Sequence, residues 1–194
     1  HLIAMLKQAK AEALMCRAYN HFMLANIFCQ HYNPATASED LGIPYSESPE
    51  DKLIVHYERG TVAEVYEKID RDLKEALPMV GDSYYTVPKF HFNEKAAYAF
   101  ATRFYLYYEK WEEAVACADK CLGSAPAGML RDWAYQATMT QEIGAITEHY
   151  IDATLNCNLL LMTAYSKVGL TFNNYYMYSR YSHGSYLASK ETCL

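Results

Sequence analysis

The residues best suited to binding chemistry lie near the end of the chain, in a segment dense in tyrosine and asparagine. A sugar ring presents C–H faces that stack on aromatic rings, and hydroxyl groups that hydrogen-bond with amide and guanidinium groups. Segment 172–181 supplies both kinds of group. The alternative is that these tyrosines anchor an irregular loop on a helical scaffold, with the arginine bridging backbone carbonyls. The candidate ligand-binding residues of this segment are Asn173, Asn174, Tyr175, Tyr176, Tyr178 and Arg180.

A second candidate site lies in the long loop 32–60, which carries Tyr32, Asn33 and Tyr45. Tyrosine is unusually abundant, with 19 in the chain. Its ring has an apolar face and a polar tip, which suits half-wet surfaces that bind flat or amphipathic ligands. The alternative is that most of these rings fill gaps between helices. Both interpretations stay open for this loop, and they rest on composition alone.

Catalytic and metal-binding patterns are absent from the sequence. It contains no nucleophile elbow, phosphate-binding glycine loop, helical zinc motif or EF-hand loop. No two of the seven histidines are four residues apart, so a lone one such as His21 is interpreted as a hydrogen-bonded packing residue. Glu47, Glu50 and Asp51 offer oxygen ligands for Ca²⁺, although a solvated charged loop is the simpler interpretation. The sequence therefore predicts no enzyme, no metal and no cofactor.

Composition excludes several classes of protein. The net charge of −6 argues against a nucleic-acid module, which normally shows a basic stripe. No apolar run is long enough for a transmembrane helix. The chain opens at His1 inside a helical pattern and without a signal peptide, which predicts an interior piece of a longer protein.

The six cysteines form no CxxC pair. Cys117 and Cys121 are four residues apart, which places them on one face of a helix as small core residues. An even count is also compatible with one or two disulfides, and the sequence leaves that alternative open.

The elements that position these residues are predicted to be helices. Apolar residues recur at helical spacing over 2–29, and Pro34 ends that helix at the latest. Thr61 and Glu64 form a capping box that opens a helix over 62–77. Asn93 is a suitable N-cap for a further helix. The later helices are predicted over 94–108 and 111–122, with partly helical structure over 128–147 and a helix or buried strand at 159–162.

The helix pair at 98–131 fits the 34-residue tetratricopeptide pattern, in which large residues fill the gap between two helices and small ones allow close approach. The matching residues are Tyr98, Tyr105, Trp111, Ala114 and Pro126, with Thr102 and Cys121 as mild departures. The helices at 2–29 and 62–77 are predicted to form a second, interrupted pair. The predicted fold class is therefore mostly α, with tetratricopeptide-like helix pairs forming an αα superhelix, long irregular loops and an irregular C-terminal part. Residues 1–133 form the scaffold, loop 32–60 is inserted in it, and 134–194 continue the same domain.

Several helix motifs, taken in order, carry a family resemblance. Residues 10–22 have the pattern "EA-x3-RA-x3-F" of a helix, and 41–45 form a loop motif that follows it. Residues 59–78 have the pattern "R-x-TV-x-EVY … DL-x2-ALP" of a second helix, and 93–97 lead into the repeat. Each motif alone is a generic helix pattern, whereas their order and spacing are specific. Together they resemble the SusD/RagB family of outer-membrane nutrient-binding lipoproteins of Bacteroidota, and the resemblance covers residues 8–133 well and the remainder weakly.

The resemblance implies a function that composition and spacing do not supply. Proteins similar to this one bind oligosaccharides, or in some members peptides, without catalysis. They deliver them to a TonB-dependent (SusC-like) outer-membrane transporter. They are surface-exposed at the cell outer membrane through a lipid anchor, which would lie outside this chain. The alternative is a tetratricopeptide scaffold that binds partner peptides in its groove, a function that usually needs several regular repeats in tandem.

Overall fold

Six α-helices make up most of the regular structure in a computed structural model that describes residues 2–49, 51–52, 55–140 and 143–161. They are α1 (Leu2–Phe28), α2 (Val62–Ala76), α3 (Glu94–Tyr107), α4 (Trp111–Leu122), α5 (Trp133–Thr138) and α6 (Ile143–Tyr150). Short 3₁₀ turns occupy Leu77–Met79, Pro88–Phe90 and Pro126–Met129. The described residues belong to a compact unit that ends at Leu161. The mostly helical fold class is thus confirmed, whereas the predicted boundary at residue 133 stays a prediction.

Local capping signals set the helix starts, as the sequence predicted. The Thr61 hydroxyl accepts the backbone N–H of Glu64 at 3.2 Å, and the Thr61 N–H donates to the Glu64 carboxylate at 3.0 Å. The Asn93 side chain accepts the N–H of Ala96 at 3.0 Å. These bonds satisfy N–H groups that have no partner within the helix.

Two helix pairs form the scaffold: α1 packs on α2, and α3 packs on α4. A cluster of aromatic rings joins the pairs: the ring of Phe22 lies 5.8 Å, centroid to centroid, from each of Phe100 and Phe104. The ring of Tyr66 stacks on Phe104 at 5.5 Å. The predicted interrupted pair of helices is confirmed by this packing.

Two sequence expectations about burial were wrong. Leu2 and Leu6 are exposed, although they belong to the predicted apolar face of α1. The cause is length, because α1 has 27 residues and its partner α2 has 15, so the first turns of α1 extend past it. Trp111 is 59% exposed, so it does not fill the gap inside the repeat, whereas Tyr105 and Ala114 are buried as the pattern requires.

The last described stretch forms neither of the elements expected for 159–162. Residues 159–161 are irregular, and the N–H of Leu161 donates to the carbonyl of Lys89 at 2.7 Å. The Asn93 amide donates to the carbonyl of Leu159 at 2.7 Å, so this irregular segment is held on the start of α3. Among the described residues, no helix combines the length and apolar character needed to cross a bilayer.

The cysteines of the described residues are all free. Cys117 and Cys121 are buried on one face of α4, as predicted. Burial raises the pKa of both thiols, so they behave as small core residues rather than reactive groups.

Candidate functional site

A buried carboxylate fixes the inserted loop on the first helix pair. Asp72, on α2, is fully buried, and its two oxygens accept hydrogen bonds from Arg17 on α1 at 2.6 and 2.8 Å. The Tyr45 hydroxyl donates to the same carboxylate at 2.7 Å, and Arg71 adds a bond at 3.1 Å. Burial alone would raise the pKa of Asp72, but the hydrogen bonds from Arg17, Tyr45 and Arg71 outweigh it and hold that pKa below its usual range. The carboxylate is therefore a structural anion, and it joins α1, α2 and the loop.

His21 holds the same loop through the ring of Tyr45 and the backbone N–H of Ser46. The two rings stack with centroids 3.9 Å apart and an interplanar angle of 23°. His21 Nε2 accepts the backbone N–H of Ser46 at 3.0 Å, so Nδ1 carries the proton and donates to the carbonyl of Arg17 at 2.8 Å. The interpretation of His21 as a hydrogen-bonded packing residue is confirmed.

Of the three acidic residues considered as a Ca²⁺ site, Glu47 is paired with basic side chains. The Glu47 carboxylate lies 2.6 Å from Arg71 and 3.7 Å from Lys68. The hydrogen bond from Arg71 lowers the pKa of Glu47. Asp51 is exposed and Glu50 lies outside the described residues. Across the described ranges, no group of three His, Cys, Asp or Glu side chains is arranged to hold a metal ion.

A second buried carboxylate links the two helix pairs. Asp70 on α2 accepts a hydrogen bond from the Tyr105 hydroxyl at 2.9 Å, and from Lys110 and Lys74 at 2.8 Å each. Burial would raise the pKa of Asp70, but these three donors hold it below its usual value. Asp70 and Asp72 are thus both kept ionised, which makes neither a proton donor near neutral pH.

The ends of the inserted loop are tied together beside these clusters. Leu41 and Thr61 form an antiparallel bridge, and the N–H of Gly42 donates to the carbonyl of Gly60 at 2.8 Å. A Cβ at Gly42 would lie 2.4 Å from the carbonyl oxygen of Thr61, so only glycine permits this approach. The Arg59 guanidinium donates to the carbonyl of Gly42 at 2.5 Å. The two ends of the loop are therefore held against each other at the start of α2.

A cleft of about 410 Å³ lies between loop residues 43–45 and 57–60 and helix α2, and it is the candidate binding site in the described residues. Tyr57 contributes an aromatic ring that is 47% exposed. Arg59, Glu58 and Lys68 add charged hydrogen-bonding groups to the lining. A ring face beside hydrogen-bonding groups is the chemistry that a sugar requires.

The sequence-predicted site residues fall into two groups. Asn173, Asn174, Tyr175, Tyr176, Tyr178 and Arg180 all lie outside the described residues. The three loop residues are described but are not brought together on one surface. Tyr45 lines the cleft while its hydroxyl is bound to Asp72. Tyr32 packs between the rings of Tyr66 and Tyr108, at 4.8 and 4.9 Å. Asn33 is exposed, and its side chain accepts the N–H of Ala35 at 2.9 Å. The ligand roles assigned to these residues stay predictions.

Sequence analysis missed the cleft residues Tyr57, Arg59 and Lys68 as candidate ligand contacts. The available signal was their position, because Tyr57 and Arg59 lie four and two residues before the N-cap Thr61, and Lys68 is the seventh residue of α2. Only the folded loop shows that the three face one cleft.

Comparison with solved structures gives the fold a context. A SusD superfamily protein from Bacteroides thetaiotaomicron matches with a TM-score of 0.58 and 26% identity, over 73% of this chain and 30% of that one. A SusD superfamily protein from Bacteroides vulgatus matches with a TM-score of 0.54 and 26% identity, over 69% of this chain and 30% of that one. A SusD-like carbohydrate-binding protein from Bacteroides vulgatus shares the fold, with a TM-score of 0.57 and 24% identity over 77% of this chain and 34% of that one. The chain thus spans about a third of the length of these proteins.

A search of curated proteins finds no match. The model of a SusD-like family, described as "Starch-binding associating with outer membrane", matches residues 4–106. That match contains nearly all of α1, the inserted loop, α2 and nearly all of α3, which together hold the cleft and every residue of the carboxylate clusters except Lys110. The chain therefore belongs to the SusD-like family.

Proposed function

We propose that this protein is a non-catalytic binding protein that holds oligosaccharide at the cell outer membrane. The observation that carries the proposal is the family match over residues 4–106. The SusD-like carbohydrate-binding protein from Bacteroides vulgatus, which has the same fold, adds support for the class of ligand. The cleft bounded by Tyr57, Arg59 and Lys68 offers suitable groups for a sugar in the described part of the chain.

The electrostatics of the two buried carboxylates suit a structural role and not that of a general acid. Glycoside hydrolysis normally needs one carboxyl group with a raised pKa, which acts as the general acid, and a second carboxylate nearby. Asp70 and Asp72 both have lowered pKa values, because arginine, lysine and tyrosine donors surround them. Their role in this proposal is to keep the scaffold and the inserted loop in one geometry.

The finer parts of the proposal concern partners and location. The protein delivers its glycan to a TonB-dependent, SusC-like transporter and is displayed at the cell surface as a lipoprotein, with a lipid anchor outside this chain. Segment 173–180 and the loop residues Tyr32, Asn33 and Tyr45 contribute ligand contacts. The family description, "associating with outer membrane", supports the location.

Affinity electrophoresis in gels that contain polysaccharide tests the binding. The full-length protein is run through gels with soluble starch and with a panel of plant, algal and host glycans, and the panel is incubated with the protein to check for cleavage. Retardation by at least one glycan that stays uncleaved is expected. Cleavage of a retarding glycan would contradict the non-catalytic assignment, and no retardation on any glycan would overturn the proposal.

Fractionation of the native host tests location and partner. The full-length protein is expected in the outer-membrane fraction, accessible to protease on whole cells, and to copurify in mild detergent with a TonB-dependent transporter. A protein found in the soluble fraction together with peptide partners would instead favour the tetratricopeptide scaffold.

A further inference from the structure

A small pocket lies where α1, α3 and the last described segment meet, and it shares no lining residue with the cleft described above. Its volume is about 270 Å³. Tyr19 of α1, Phe92 just before α3 and Phe100 of α3 all line it. The ring centroid of Tyr19 lies 5.8 Å from that of Phe92 and 5.2 Å from that of Phe100. Three aromatic rings in contact with one another therefore form part of the lining.

Leu159 and Leu160 add aliphatic side chains to the same pocket, and both are partly buried against the core. Their backbone is fixed on the start of α3. The Asn93 amide donates to the carbonyl of Leu159 at 2.7 Å, and the N–H of Leu161 donates to the carbonyl of Lys89 at 2.7 Å. The lining is thus ordered before any ligand arrives, so binding costs little conformational entropy in the protein.

One face of α3 runs along the pocket and ends at a cation. Four residues of this helix line the pocket: Ala96, Ala99, Phe100 and Arg103. Their spacing of three, four and seven residues from Ala96 places them on one side of the helix. The two alanines are short, so they leave space that larger side chains would fill. Arg103 stands at the C-terminal end of this row.

The guanidinium of Arg103 is exposed and unpaired. It makes neither a hydrogen bond nor an ion pair with any residue in the described ranges 2–49, 51–52, 55–140 and 143–161. The other arginines in those ranges all donate to oxygen atoms of the protein; they are Arg17, Arg59, Arg71 and Arg131. Arg103 therefore brings a positive charge and five unused N–H donors to the pocket.

The chemistry of the lining suits a ligand that combines an apolar ring with a negative charge. A guanidinium pairs with a carboxylate through two parallel N–H···O bonds, and an aromatic ring packs well on the rings of Tyr19 and Phe100. A sugar fits poorly, because most of the lining is apolar and the sugar hydroxyls would lose water without gaining hydrogen bonds. The volume of about 270 Å³ is small for a ligand pocket, so a single ring with a short acidic arm has the appropriate size.

We propose that this pocket binds a small monocyclic aromatic carboxylate, with its ring against Tyr19 and Phe100 and its carboxylate paired with Arg103. Charge complementarity identifies the anion, and the aromatic part of the lining identifies the ring. The proposal does not depend on glycan binding, since it uses other residues and a ligand of different chemistry.

The test uses 3-(4-fluorophenyl)propanoate, titrated into the full-length protein and followed by its ¹⁹F resonance. The neutral comparison is 3-(4-fluorophenyl)propanamide, which has the same ring and arm without the charge. Arg103→Gln removes the cation, and Arg103→Lys keeps the charge without the planar fork of donors. Lys7→Gln is the matched control, because Lys7 is also an exposed cation without a partner among the described residues. It lies twelve residues before Tyr19 on α1, which is about 18 Å along the helix.

Cys157 reports occupancy of the pocket in the wild-type protein. It lines the pocket and is partly buried, whereas Cys29 is partly buried and lies outside the lining. A bound ligand covers Cys157, so its alkylation by N-ethylmaleimide should slow while that of Cys29 continues unchanged. Mass spectrometry of the digested protein measures the two reactions separately.

We expect the wild type to bind the carboxylate about fivefold more tightly than the amide, which is the effect of one favourable ion pair at a partly exposed position. Arg103→Gln should weaken binding of the carboxylate by about the same factor, Arg103→Lys by less, and Lys7→Gln should leave it unchanged. Alkylation of Cys157 should slow as the carboxylate saturates the protein.

The proposal is overturned if the carboxylate does not bind the wild type, or if the carboxylate and the amide bind equally well. Equal affinity of Arg103→Gln and the wild type also overturns it, because the probe would then bind elsewhere. If Arg103→Gln loses its thermal transition, the wild-type alkylation decides, and an unprotected Cys157 refutes the site. Retardation by the glycan panel is measured separately, so the proposed function stands or fails independently of these results.

Discussion

Replacing Arg17 with methionine is expected to lower the free energy of unfolding by about 3 kcal/mol. Arg17 donates two hydrogen bonds to the fully buried carboxylate of Asp72, at 2.6 and 2.8 Å. A hydrogen bond to a charged group contributes about 1.5–3 kcal/mol, so two give a gross loss of about 3–6 kcal/mol. Tyr45 and Arg71 stay bound to the carboxylate, and methionine keeps the apolar stem of the side chain. Both effects bring the expected loss toward the lower end of that range.

A double-mutant cycle in urea, followed by circular dichroism at pH 7, measures this effect. The cycle uses Arg17→Met, Asp72→Leu and the double variant. The double variant is expected to be more stable than Arg17→Met alone, because it leaves no buried carboxylate short of a partner. Lys10→Met is the control, since it breaks the Lys10–Glu75 pair on the surface of the same two helices, whose side chains are 59% and 44% exposed. Its expected cost is below about 1 kcal/mol.

Two results would refute this reasoning. One is an Arg17→Met variant that loses no more stability than Lys10→Met, which would mean that the cluster is as weak as a surface ion pair. The other is a cycle in which the two single changes add up within about 0.5 kcal/mol, which would mean that the two side chains are not coupled.

Three further predictions concern stability. Asp70 and Asp72 have pKa values below the ordinary value, so the stability they contribute is fully present above about pH 4 and is lost as the pH falls through their folded-state pKa values. The urea midpoint should therefore fall on acidification, and Asp72→Asn should flatten that fall. Equal slopes of urea midpoint against pH in the wild type and the variant would contradict the assignment. Thr61→Ala should cost about 1 kcal/mol in urea unfolding, because it removes the cap of α2, and Thr61→Ser should recover most of this; an unchanged midpoint in the alanine variant would mean that the cap contributes nothing. Phe22→Ala should cost about 3–5 kcal/mol, because the ring is 2% exposed and contacts both helix pairs, while Phe28→Ala on the same helix, at 64% exposed, should change stability by less than about 0.5 kcal/mol. Similar losses in the two phenylalanine variants would show that the inter-pair contact is not the source of the stability.

Helix positions were predictable because their signals are local. Thr61 and Glu64 lie three residues apart and meet within one turn, so the start of α2 needs no distant partner. Asn93 acts in the same way for α3. The repeat spacing identified the α3–α4 pair, since two helices joined by a three-residue turn must pack as neighbours. The ordered motifs of residues 8–133 also identified the family, which the match over 4–106 confirms.

The candidate sites were less predictable, because exposure and long-range pairing leave no local pattern. Trp111 matches the repeat spacing and is nevertheless exposed, as is Trp133, which belongs to no motif. Tyr45 was selected as a ligand contact from composition, and the structure adds that its hydroxyl is bound to a buried carboxylate. The sequence pattern around a tyrosine does not distinguish a ligand contact from a hydrogen-bond donor to a buried carboxylate.

The sequence by itself determined the four long helices α1 to α4, the pairing of neighbouring helices and the family, because apolar periodicity and caps act over a few residues. Only the tertiary structure decided which charges meet. Arg17 and Asp72 are 55 residues apart in sequence, and Tyr45 and Asp72 are 27 apart. Each of these side chains alone resembles an ordinary polar surface residue. Asp72 becomes buried only once α1, α2 and the inserted loop have packed together. A buried charge without partners would cost too much free energy, so the packed structure must bring Arg17 and Tyr45 to it.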